Sequence, residues 1–267
     1  MSFIDHIEEL RWHIVRAIVA ILICGIGVFI YIEWIFDNII LGPAHSNFIS
    51  YRALCKLGKM LHIDALCLGD LNISFQSTEL SGQFMTAFSS SFMIGFIIAF
   101  PYVFWEFWKF LKPALKPSEL KYARGIVFWS SLLFFIGVFF AYYVVAPFTI
   151  NFFANYQLSP IFKNNITIGN YYDTLNDLIL GMGIVFELPI VVFFLSRLGV
   201  ITPALLRDKR RYAYLIILIL AEVITPPDWF SCFLVAIPLV FLYEMGISIS
   251  QRAVNERLRK QIELDNS

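Results

Sequence analysis

The residues of this chain best placed to do chemistry are carboxylates in costly or crowded positions. Glu187 interrupts an apolar run from Leu178 to Ser196. If that run crosses a bilayer, a charged carboxylate at its middle costs roughly 2.5–3.5 kcal/mol. Such a residue normally faces a bundle interior or a wet cavity. Pro189 follows two residues later. It offers no N–H to the carbonyl of Val185 and is expected to kink the helix. Two readings stay open for Glu187. It is a neutral acid bonded to a neighbouring helix, or it lines a polar pocket that receives a partner or a substrate.

Glu119 poses a different problem. It stands among Lys109, Lys112, Lys116, Lys121 and Arg124. In one reading Ser118 caps a helix and Glu119 complements its dipole. In the other, Glu119 presents a carboxylate to a cationic ligand. A guanidinium would then hold it through two parallel hydrogen bonds, which favours Arg over Lys. The residues alone leave these readings level. Glu8, Glu9 and Arg11 open an amphipathic segment that suits an interfacial anchor. Glu222 and Glu244 lie near the ends of short apolar runs, within reach of water. Glu106, beside Trp105 and Trp108, reads as an interfacial residue in an aromatic belt.

Of the four cysteines, Cys24 and Cys232 fall in apolar runs and read as small buried residues. Cys55 and Cys67 share one connecting segment, and in an oxidising compartment a disulfide between them would close it. With His62 as the only nearby helper they make a poor zinc site, and no metal or other cofactor is expected. No HExxH, GxSxG or P-loop is present, and no nucleophile and base share a spacing. The chain is not expected to be an enzyme.

The elements that must position these residues follow from composition. Hydrophobic residues make up 59% of the 267 and charged residues only 15%. Soluble domains carry about 25% charged residues. The mean hydropathy is +0.73. A formal net charge of zero argues against binding nucleic acid through overall positive charge. The wealth of Phe, Ile and Leu argues against disorder. An integral membrane protein of the all-α class remains. It is read as a single membrane domain, 1–267, with no internal repeat and no cleavable signal peptide.

Six spans are predicted, at about 14–36, 80–108, 124–150, 174–197, 211–225 and 228–249. The fifth and sixth are short. The 14 residues between Arg211 and Pro226 reach about 21 Å as a helix, against roughly 30 Å of hydrocarbon. Thr225-Pro-Pro-Asp228 reads as a Thr225 N-cap, a proline at the first helical position and an acid in the first turn. Thr202-Pro203 has the same form and is expected to start the fifth helix. Sixteen of the 20 basic residues fall on one side of this arrangement. The positive-inside rule therefore places both termini in the cytoplasm.

Five motifs in this order carry a family resemblance. They are His6-Ile-Glu-Glu-Leu-Arg11, Phe110-Leu-Lys-Pro-Ala-Leu115 with Glu119, Phe139-Phe-Ala-Tyr-Tyr143, Phe186-Glu-Leu-Pro189 and Thr225-Pro-Pro-Asp228. From about Phe3 to Ser250 the chain resembles the TatC family, the multispanning core of the twin-arginine protein translocase. The resemblance implies a receptor for folded cargo proteins whose signal peptides carry paired arginines. It implies a multi-pass protein of the bacterial cytoplasmic (inner) membrane with a concave polar face. Its partners would be TatA- and TatB-type single-span subunits, with further copies of itself in the receptor complex and the proton-motive force driving export. Signal binding carries over to Glu9, Arg11, Phe110 and Glu119. The intramembrane acid carries over to Glu187, beside Pro189. Pro43, Tyr142 and Asp228 match positions the family treats as functional. Leu120 stands where some members have a basic residue, and Cys232 where some have a glutamine. The rival reading is a small-solute secondary transporter with Glu187 as proton relay. Such transporters tend to show internal repeats, which are not visible in this sequence.

Overall fold

Long apolar runs become long helices, because a helix satisfies its own backbone polar groups where water is absent. The computed structural model describes residues 3–62, 73–112, 125–159, 161 and 164–265. Five of its helical stretches are long and apolar enough to cross a membrane: Glu8–Ile30, Gly82–Leu111, Ile126–Asn155, Ile168–Leu198 and Trp229–Asn255. The predicted fifth span is a helix of 15 residues, Arg210–Ile224, which reaches about 22 Å. It falls short of the hydrocarbon thickness, as its sequence implied.

The helices run α1 (Phe3–Ile30), α2 (Ile32–Ile35), α3 (Ile49–Leu61) and α4 (Gly82–Leu111). They continue with α5 (Ile126–Phe140), α6 (Ala146–Asn155), α7 (Ile168–Val185) and α8 (Leu188–Leu198). The last three are α9 (Pro203–Asp208), α10 (Arg210–Ile224) and α11 (Trp229–Asp265). π-helical turns occupy Phe36–Ile40 and Ala141–Val145, the second joining α5 to α6. Contacts divide the chain into two compact units: Met1–Lys116 with Phe139–Ile179, and Pro117–Val138 with Leu180–Ser267.

In the first unit α1 packs along α4 through glycine. A Cβ on Gly95 would lie 2.6 Å from the backbone nitrogen of Gly25 and 2.7 Å from its Cα. Small residues let two membrane helices approach backbone to backbone. After α1 the chain tightens through its π turn and a 3-10 turn, Gly42–Ala44. α3 was not anticipated, although the spacing of Leu54, Leu57 and Leu61 suits a helix. The fold is all-α as expected, with one small addition among the described residues: a parallel pair of three-residue strands, β1 (Ser74–Gln76) and β2 (Asn165–Thr167). Ser74 pairs with Asn165, Phe75 with Ile166 and Gln76 with Thr167. Three residues are too few to display strand alternation in a sequence.

In the second unit α8 lies against α11, where the hydroxyls of Ser196 and Ser250 meet at 2.7 Å, both fully buried. A Cβ on Gly137 of α5 would lie 2.7 Å from the Met182 carbonyl oxygen, so these backbones also approach closely. The Thr202 side chain accepts the Leu205 N–H at 3.2 Å, the predicted cap. The helix it caps is α9, and a turn at Lys209 separates α9 from α10.

The cap of α11 is a correction. Thr225 ends α10 in an extended conformation, and its hydroxyl donates back to the Ala221 carbonyl. Asp228 is the N-cap, with its Oδ1 accepting the Ser231 N–H at 2.6 Å. The reason is proline. A residue before proline is pushed out of the helical region. A cap at Thr225 would also find no N–H on Pro227, and the next one, of Asp228, is taken by the Pro226 carbonyl at 2.7 Å.

Candidate functional sites

The first site forms where the start of α1 meets the end of α4. On α1, Glu9, His13 and Arg16 recur at helical spacing and share a face. On α4, Glu106, Lys109 and Phe110 do the same. Glu106 Oε2 lies 2.6 Å from His13 Nδ1 and 3.9 Å from an Arg16 guanidinium nitrogen. Its Oε1 accepts from Lys109 Nζ at 3.0 Å. The Glu106 side chain is only 2% exposed. Lys109 sits over the Trp105 ring, 3.3 Å from its centroid. The Phe110 ring meets the His13 ring edge-on at 6.4 Å.

From sequence Glu106 reads as an interfacial residue in an aromatic belt, and His13 does not stand out. The structure buries Glu106 and supplies cations from two helices. Lys109, one helical turn after Glu106, was a local sign of a charge partner, and nothing local pointed to His13. Of the predicted signal-binding residues, Glu9 and Phe110 are half-buried and Arg11 is exposed. His13 links the helical face of Glu9 to Phe110. Glu119 lies outside the described residues.

The second site is the break between α7 and α8. Phe186 and Glu187 form a turn, and Glu187 is the N-cap position of α8. The helix stops here because Pro189, in the first turn of α8, cannot donate to the Val185 carbonyl. The predicted kink is therefore a full interruption. Ser130 of α5 donates its hydroxyl to Glu187 Oε2 at 2.8 Å. Glu187 Oε1 is buried and has no hydrogen-bond partner among the described residues. Pro189 opens onto an apolar groove of about 430 Å3, lined also by Trp129, Leu132, Ile136, Phe193 and Met245.

Pro43 and Tyr142 meet in a third place, a cluster of tyrosines. The Tyr142 hydroxyl donates to the Ile39 carbonyl at 2.6 Å, and that of Tyr171 to the Ile40 carbonyl at 2.7 Å. The Tyr51 hydroxyl lies 2.8 Å from the Pro43 oxygen and 2.9 Å from the Pro147 oxygen. Apart from Pro147, which lies in α6, the acceptors belong to the π and 3-10 turns around Ile39–Pro43, where regular helical bonding is interrupted. Burial pushes the Tyr51 hydroxyl well above its ordinary range, so it stays a donor. Tyr142 and Tyr171 reach this turn from more than 100 residues away, so their bonds left no local trace in the sequence.

Asp228 does double duty. One oxygen caps α11, and Oδ2 is buried without a partner among the described residues. Glu244 reaches water, its side chain 36% exposed, and it also accepts from Arg210 and from the Tyr214 hydroxyl, each at 2.7 Å. Cys24 and Cys232 are free thiols, half-buried rather than fully buried. Cys55 is disulfide-bonded, while Cys67 lies outside the described residues. Among the described residues no group of three or more His, Cys, Asp and Glu could hold a metal ion.

Apolar helices of spanning length, a carboxylate in one of them and a charged cluster at a helix end are the features of a multi-pass membrane protein. Residues 5–238 match the family model described as Sec-independent protein translocase protein (TatC). The chain belongs to this family of protein translocase components. It is 41% identical over 252 residues to Sec-independent protein translocase protein TatC of Blattabacterium sp. subsp. Periplaneta americana, covering 94% of this chain and 95% of that one. It is 31% identical over 253 residues to TatCy of Bacillus subtilis, covering 95% and 90%. Its fold matches a crystal structure of the twin-arginine translocase receptor TatC with a TM-score of 0.70 and 28% identity, over 93% of this chain and 99% of that one.

Proposed function

We propose that the chain is the receptor core of a twin-arginine translocase, acting as one six-span membrane domain with both termini in the cytoplasm. In this reading Glu9 and Glu119 bind the two guanidinium groups of a signal peptide, with Arg11 and Phe110 beside them. Pairing by carboxylates suits the bidentate geometry of guanidinium, and the surrounding lysines repel cations that cannot adopt it. The observation that carries the reading is the packing of the Glu9 face of α1 beside Phe110 at the end of α4, within a chain of the TatC family.

Glu187 serves assembly in this reading. Its unpartnered Oε1 offers an acceptor to a polar group on a TatA- or TatB-type single-span helix, and copies of the chain assemble in the receptor complex. A Cys55–Cys67 disulfide closes the first connecting segment on the periplasmic side. The direct test is crosslinking to a signal peptide. Glu119→Gln abolishes it while leaving membrane insertion intact. Unchanged crosslinking defeats the proposal.

A further inference from the structure

We propose that Glu106 and His13 are positioning residues for signal recognition, holding α1 at the height and rotation on α4 that set Glu9 against Phe110. The inference rests on the roles of Glu9 and Phe110 proposed above. Glu106 is a buried charge whose two oxygens are both engaged, one by His13 from α1 and one by Lys109 from α4 itself. A buried carboxylate deprived of its partner is costly. Sliding α1 by one turn, about 5.4 Å, would remove His13 from Glu106.

The geometry transmits this restraint directly. Glu9 stands one turn before His13 on the same face of α1, and Phe110 one turn after Glu106 on α4. The His13 ring meets both the Glu106 carboxylate and the Phe110 ring, one helical turn from Glu9 on the same face of α1. The Gly25–Gly95 contact pins the same helix pair about 17 Å further along. Two fixed points define a register, and neither alone would. Bidentate recognition needs its groups held to within about 0.5 Å, so a loosened register weakens binding without removing any binding group.

The test uses the full chain in lipid nanodiscs and a synthetic peptide carrying paired arginines. The readout is the dissociation constant of the folded protein, which a lower folded fraction does not change. Glu106→Gln and His13→Ala each weaken binding about tenfold, and the double variant is no weaker than either. His13→Gln, which keeps an N–H donor, retains most of the affinity. Should Glu106→Gln fail to fold, the His13 pair of variants carries the test. Glu9→Gln separates the two claims. If Glu9→Gln abolishes binding while Glu106→Gln and His13→Ala bind normally, the positioning role is overturned and the receptor reading stands. If Glu9→Gln binds normally, the receptor reading falls and this inference falls with it.

Discussion

Ser130 donates its hydroxyl to one oxygen of Glu187 and leaves the other without a partner among the described residues. The bond bridges α5 and the break before α8, so it fixes the carboxylate at the one point where Pro189 has opened the helix. A half-satisfied carboxylate among apolar residues is poised to accept one more donor. Glu187→Ala therefore spares signal-peptide binding and impairs partner assembly and transport. Ser130→Ala leaves the carboxylate in place and impairs transport less. Co-purification of the single-span subunits with each variant checks this. Loss of signal binding in Glu187→Ala ahead of any loss of assembly contradicts it.

Two glycines on the α1–α4 pair make a matched comparison. A methyl on Gly95 runs into the Gly25 backbone, which has no flexible end to move aside. Gly95→Ala is expected to destabilise the protein by about 1–3 kcal/mol, as overpacking does. A Cβ on Gly27 meets nothing within 4 Å. Gly27→Ala gains helix propensity and stabilises by up to about 1 kcal/mol. Thermal unfolding of both variants in detergent separates the outcomes.

Asp228 caps α11, so its removal has a calculable effect on stability. Asp228→Ala costs about 1 kcal/mol, the usual value for a lost N-cap. In a protein of this size that lowers the melting temperature by about 2–4 °C. Asp228→Asn keeps an acceptor for the Ser231 N–H and is nearly neutral in stability. Transport by Asp228→Asn then reports on the second, unpartnered oxygen alone, and a deficit there assigns it a role beyond capping.

Features set by local physics were legible in the sequence. The cost of Glu187 in an apolar run, the break imposed by Pro189, the short α10 and the Thr202 cap all follow from neighbours a few residues apart. The Thr225 cap failed because both Thr225 and Asp228 are good cap residues, and the two prolines between them decide: Pro227 has no N–H, and the Asp228 N–H goes to the Pro226 carbonyl. The Glu106–His13 bond joins residues 93 positions apart. Nothing in either segment says which helix faces which, so Glu106 looked like an ordinary interfacial acid. Of the tyrosines on the Ile39–Pro43 turn, Tyr142 came only through the resemblance, and Tyr51 and Tyr171 do not stand out in the sequence. The short β1–β2 pair shows no alternation and exists only because two connecting segments meet. For the recognition residues, resemblance supplied what spacing could not, since lysines around Glu119 suit a helix cap as well as a binding site.

The central claim is that carboxylates of this chain recognise paired guanidinium groups. Its most direct test is to titrate the purified protein with a twin-arginine signal peptide and with the same peptide carrying Lys-Lys. A lysine ammonium is a point donor and cannot reproduce the fork of arginine. The account predicts binding of the Arg-Arg peptide and at least about a tenfold loss with Lys-Lys, the equivalent of one charge-assisted hydrogen bond. Equal affinity for the two peptides would contradict it.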